Sequence, residues 1–263
     1  MRSGLSKLES GLLLAVLALL AVALLGPALA QPGQHHAFAD TRAMWGLPYA
    51  MDVLSNLPFA LAGVAGCAYL FGLPARSVSN VQRAMALLFF AGLIFTAAAS
   101  SWYHWQPDDA GLAIDRCGMA IAFAGLLGLA AAERVSDRAG AALGLAVLLL
   151  APLAVQVWVH TGNVLPWAAL QFGGMALVVW FAALRSQSNA LGIRWGLVIL
   201  AYATAKVLEV SDHHVYEITA HLVSGHTLKH VVASLAAWPV IIAIKTLGEA
   251  RQNRPAFARI AGA

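Results

Sequence analysis

The segment SGHTLKH, residues 224–230, opens the last long apolar run of the chain and sets His226 and His230 four residues apart. In a helix that spacing puts both imidazoles on one face, where both can reach one metal ion. His104, at the end of an earlier apolar run, offers a third ligand from a different helix. Three protein ligands with a fourth position left open is the pattern of catalytic zinc, whereas structural zinc sites are closed by four. Ser100 lies four residues before His104, one turn deeper on the same face. Asp115 follows His104 by eleven residues, so a short loop returns it to the same depth at the opening of the next helix. A carboxylate beside the open position can take a proton from an attacking water, and a hydroxyl can hold a developing oxyanion. The candidate metal ligands are therefore His104, His226 and His230, and the candidate catalytic groups are Asp115 and Ser100.

Each of these residues also has a structural use. His104 alone reads as a hydrogen-bonded bridge between helices, Asp115 as a partner for Arg116, and Ser100 as a hydroxyl bonded back to its own helix. Convergence argues for the site: three histidines, an acid and a serine are expected at one depth on one side of a membrane, where burying ionisable groups unpaired is costly.

The elements that must position them are membrane helices. Hydrophobic residues make up 60% of the 263 and charged residues only 11%, far below the roughly one quarter of a soluble domain. Apolar stretches near the roughly twenty residues needed to cross a bilayer are expected at 11–29, 53–73, 81–103, 113–132, 139–160, 164–184, 191–210 and 222–247. The fold class is an all-α polytopic bundle: seven core helices preceded by an N-terminal segment. Residues 1–30 read equally as a signal peptide, with Ala28-Leu29-Ala30 as a small-x-small cleavage site, or as an extra helix. Residues 31–250 form the helical domain and 251–263 a cytoplasmic tail.

Charge orients the bundle. With the N-terminus inside, Arg2, Lys7, Arg76, Arg83, Arg134, Arg138, Arg185, Arg194, Lys245, Arg251, Arg254 and Arg259 all face the cytoplasm, twelve of the sixteen Lys and Arg. All nine histidines then fall in the outer half or in outer loops. The basic pI of about 9.3 reports this orientation, and no basic stripe with interleaved aromatics suggests nucleic acid. Compact loops and a signal-like start point to a bacterial cytoplasmic membrane with the site on its periplasmic side. Cys67 and Cys117, one to a helix, read as packing residues.

The motifs SSWYH (100–104), AIDRCGMA (113–120) and SGHTLKH (224–230) resemble those of the alkaline ceramidase family, within the CREST superfamily of seven-helix membrane hydrolases. The stretch DVLSNLPF (52–59) is similar to the start of that family's first helix. The resemblance covers nearly all of the chain after about residue 38. It implies seven helices, zinc on His104, His226 and His230, and hydrolysis of the amide bond of a ceramide-like N-acyl lipid to a fatty acid and a sphingoid base. The family's acidic calcium-binding segment has only Asp40, Trp45 and Asp52 as loose counterparts here, which puts calcium in doubt.

Two other function classes compete. One is a non-enzymatic receptor or transport-type protein of the same superfamily shape, like the progestin and adipoQ receptors, with structural zinc. The other is a haem carrier, disfavoured because His226 and His230 share one helix turn. No mid-membrane break facing the histidines is expected, which counts against a midplane transport site. Lys206 and Glu209 read as an intrahelical ion pair, with headgroup recognition or proton relay as the functional alternative and Asp212 following them. Lys229 is expected on a different face from its neighbour His230.

Overall fold

In the computed structural model, residues 4–252 are described; Arg2 and the tail from residue 253, with Arg254 and Arg259, lie outside them. Polar residues ahead of apolar runs start most of the long helices. The side chains of Ser6, Ser79, Asp108, Ser136 and Ser224 each accept a hydrogen bond from the backbone N–H three residues on, satisfying a donor that the helix itself leaves orphaned. The helices are α1 (Lys7–Leu25), α2 (Ala50–Leu54), α3 (Leu57–Gly72), α4 (Asn80–Trp105), α5 (Asp109–Arg134), α6 (Asp137–Thr161), α7 (Leu165–Ala183), α8 (Trp195–Val210), α9 (Asp212–Ile218), α10 (Gly225–Ser234) and α11 (Trp238–Gln252). The protein is an all-α polytopic bundle, and among the described residues seven helical segments are long and apolar enough to cross a membrane.

α3, α4, α5 and α6 pack in sequence order, α10 lies between α8 and α3, and α1 rests on α7. The α4–α5 contact is close enough to require small residues: a Cβ on Gly125 would stand 2.2 Å from the Phe89 backbone nitrogen. At the end opposite the histidines, buried Glu133 accepts hydrogen bonds from Gly192 N, Ile193 N and Trp195 Nε1. That capture holds residues 191–194 as loop, so α8 starts at Trp195 and is shorter than the expected 191–210 span. Glu9 pairs with Arg138 and accepts from Ser136, so α1 is docked through side chains of the α5–α6 connection.

Two spans are interrupted, against the sequence expectation. The first bends between α2 and α3 at Ser55-Asn56, just before Pro58, and the last passes through a 3₁₀ turn at Leu235–Ala237 just before Pro239. A proline within the first turn of a continuing helix removes one N–H and crowds the preceding turn, so the backbone there tightens or breaks. The first break adjoins the histidine cluster.

Candidate metal centre

α10 is built to bring His226 and His230 inward. Ser224 caps its first turn through Thr227 N at 2.9 Å, and Asp212 Oδ1 accepts from His226 N at 2.7 Å. Thr227 Oγ1 in turn donates to Asp52 Oδ1 at 2.6 Å, tying α10 to α2. Gly225 makes the approach to α8 feasible, because a Cβ there would meet Leu208 O at 2.3 Å. The opposite wall is α4, which presents His104 and Ser100, both buried.

His104, His226 and His230 converge as the sequence predicts. One ligand atom of each lies within 4.8 Å of the others, and all three side chains are buried. His104 Nε2 and His226 Nε2 are 3.2 Å apart, close to the roughly 3.3 Å separating two nitrogens on one tetrahedral zinc with bonds of about 2.0 Å. The third ring is aimed by its neighbours. Ser55 Oγ donates to Asp52 O at 3.0 Å, so at 2.8 Å from His230 Nδ1 it acts as acceptor. His230 therefore carries its proton on Nδ1 and keeps an Nε2 lone pair for the centre, the outer-shell arrangement usual for metal-binding histidine. His104 Nδ1 is buried without a partner. The donor set of three neutral imidazoles, one tautomer held, fits zinc. Phe38, from the segment ahead of α2, packs edge-on against His104 and His226 at centroid distances of 4.7 and 4.6 Å and roofs the cluster.

Asp115 and Ser100 face each other across the α4–α5 contact and line one cavity with His230. Asp115 does not open its helix, as the sequence reading had it. Asp108 caps Gly111 N at 2.6 Å, so α5 begins at Asp109 and Asp115 sits in its second turn. Its neighbour Arg116 turns away, donating to Gln31 Oε1 at 2.6 Å and stacking 4.1 Å over the Trp158 ring, which removes the Asp115–Arg116 pair from consideration. Ser100 is not bonded back to its own helix; that role falls to Thr96, which donates to Gly92 O.

Lys206, Glu209 and Lys229 line the same cavity. The Lys206–Glu209 pair within α8 is present, and Lys229 Nζ joins it from α10 at 2.8 Å from Glu209. Lys229 does diverge from His230, but its long stem brings it to the cavity wall beside α8; a face argument based on helical period alone misses that reach. Asp212 serves as an anchor, accepting from His226 N and Ala39 N. Ser55 and Asp52, which touch the centre or its cap, had no signal beyond their place in DVLSNLPF.

The cavity follows α4 inward past Ser100, Thr96, Leu93 and Phe89 and is closed by Phe59, Met119, Phe123 and Leu126. From Ser100 to Phe89 is roughly 16 Å along the helix at 1.5 Å per residue. One end is thus polar and the other apolar. A larger groove of about 620 Å³ between α1, α6 and α7 is lined almost wholly by aliphatic side chains and holds no comparable chemistry. The loose calcium counterparts are engaged elsewhere: Asp40 binds Arg42, Asp52 accepts from Thr227, and Trp45 is exposed. The described part of the chain has one further group with metal-ligand chemistry, His35, His36 and Asp109, on the surface near the start of α5. No protein-family model matches the chain, and no curated protein matches it.

Proposed function

We propose that the protein is a zinc-dependent intramembrane hydrolase that cleaves the amide bond of a ceramide-like N-acyl lipid, with its site toward the periplasmic side of a bacterial cytoplasmic membrane. One observation carries the reading. A buried three-histidine centre borders, through His230, a cavity whose near end holds a carboxylate and a hydroxyl and whose apolar far end runs along α4. That shape suits an amphiphile whose polar linkage lies at the histidines while its chain runs inward.

Zinc held by His104, His226 and His230 would supply a Lewis acid for the acyl carbonyl and a water acidified toward neutrality. The chain's own residues do the rest. Asp115 takes a proton from the attacking water as the C–O bond forms, and delivers it to the amine nitrogen as the C–N bond breaks, so water and amide become fatty acid and amine. Ser100, facing Asp115, holds the water or the developing oxyanion in line. Lys206 and Lys229, flanking Glu209, place two ammonium groups on the cavity wall beside the leaving group or headgroup. Phe59, Phe89 and Phe123 hold the acyl chain and exclude water.

A non-enzymatic receptor or transport-type role gains from the interrupted spans, since broken helices beside a buried polar centre are a transporter device. The two readings separate on one preparation. Purified wild type is expected to contain zinc and to release fatty acid from ceramide-like substrates, and His226→Ala is expected to lose the zinc of the buried centre together with the release. Zinc without release from any N-acyl lipid favours the non-enzymatic reading; zinc content indifferent to His226→Ala removes the metal centre.

A further inference from the structure

The segment between α1 and α2 carries Phe38 over the buried histidines, and it is fastened at several points. Ala39 N donates to Asp212, and His213 bonds Ala37 O. Just ahead of Phe38 lies a second cluster unconnected with the proposed hydrolysis: His35 and His36 facing Asp109 at the start of α5.

Its hydrogen bonds do not close with neutral histidines. His35 Nδ1 is 2.7 Å from Pro32 O, and a carbonyl can only accept, so that nitrogen carries the proton. The Tyr103 hydroxyl lies 2.8 Å from His36 Nδ1 and accepts from it when its own proton goes to His35 O at 3.4 Å. Both Nε2 atoms are then aimed, at 3.0 and 3.1 Å, at the same carboxylate oxygen of Asp109. A neutral His35 would point an Nε2 lone pair at an anion, and His36 does the same whenever its proton is on Nδ1. A cation has to lie between them, either as added protons or as one metal ion.

The geometry favours the metal. His35 already gives its other N–H to a carbonyl oxygen and His36 Nδ1 rests on the Tyr103 hydroxyl, the outer-shell pattern that orients ligating histidine. The nitrogen–oxygen separations are near the roughly 3.3 Å between two ligands on one tetrahedral zinc. The histidine side chains are only 21% and 28% exposed, whereas Asp109 is 71% exposed and leaves room for solvent ligands. We propose that His35, His36 and Asp109 form a second, outer-face site for a divalent transition metal of the zinc class, which staples the Phe38 segment to α5.

The test is metal stoichiometry on the full chain, stripped with chelator and titrated with Zn²⁺. Wild type is expected to take two equivalents. Asp109→Asn and His36→Gln are each expected to lose the outer one, while His226→Ala keeps it and loses the buried one. The double variant Asp109→Asn/His226→Ala is expected to take none. Hydrogen exchange of residues 32–40 is expected to slow on adding Zn²⁺ to His226→Ala but not to the double variant, a readout that a merely misfolded surface loop would not reproduce. If Asp109→Asn and His36→Gln bind as much Zn²⁺ as wild type, or if His226→Ala binds none, the outer site is overturned. One equivalent in wild type that is lost in Asp109→Asn and kept in His226→Ala sustains it even though the buried centre then fails.

Discussion

At the residue scale the proposed chemistry rests on how few groups are free to do it. Asp115 is buried, has lost Arg116 to Gln31 and Trp158, and shares its cavity with Ser100 and His230. If it carries the proton, Asp115→Asn keeps fold and zinc but lowers hydrolysis by at least about a hundredfold. Ser100→Ala gives a smaller loss of the same kind, read as fatty-acid release alongside zinc content. Near-normal turnover of Asp115→Asn would assign the base elsewhere. Ser55 makes a different prediction. It touches no expected substrate atom, yet its hydroxyl accepts from His230 Nδ1 and so holds the ring. Ser55→Ala is expected to weaken zinc binding about 10- to 100-fold, the usual effect of losing an outer-shell partner. Competition against a calibrated chelator measures this, and unchanged affinity would mean that packing alone orients His230.

At the element scale the site is held by short helices and a loop as much as by the long helices. α9 supplies Asp212, α2 supplies Asp52, and the segment before α2 supplies Phe38; each is tied to α10 or its histidines. The same segment is braced by Asp40, which accepts from Arg42 Nε at 2.8 Å while the Arg42 guanidinium also donates to Leu222 O. Burial works against the charge on Asp40, but the Arg42 hydrogen bonds outweigh it and hold the carboxyl below its ordinary value. A depressed folded value means the brace is fully present above the unfolded carboxylate pKa of about 3.9 and is lost as pH falls through the folded one. Hydrogen exchange of residues 37–42 is therefore expected to be flat from pH 7 to 5, after correction for intrinsic rates, and to quicken only in stronger acid. In Arg42→Gln the loosening moves to higher pH. An identical profile in the variant would show that the ion pair does not brace the segment.

At the scale of the whole molecule, polarity along the membrane normal organises everything else. Arg138, Arg134 and Arg83 gather with Glu9, Leu184 O and Leu70 O at one end, and the histidine centre stands at the other. By the positive-inside rule we propose that the basic end is the cytoplasmic one. A cysteine at exposed Gln106 is expected to react with a membrane-impermeant reagent in spheroplasts, and one at Arg251 only after lysis. The reverse pattern would invert the orientation and move the proposed substrate to the other leaflet.

Composition and spacing by themselves determine the all-α membrane bundle and the triad. A transmembrane helix is written in some twenty consecutive apolar residues, and two ligands at i,i+4 share a face whatever surrounds them. His104 joined them because polar groups at matched depth in apolar runs stand out even when their helices are distant in sequence. What only the tertiary structure decided depends on contacts across the chain. The helix breaks beside Pro58 and Pro239 are local, but which of them adjoins the histidines is set by packing. Lys229 reaches the cavity because α8 lies beside α10, and Ser55 meets His230 across 175 residues. His35 and His36 stand in the sequence only among the outer-side histidines, and they become a candidate site only because the fold delivers Asp109 to both rings at once. Hydropathy records which groups leave water. The partners that satisfy them once they have left are a property of the folded chain.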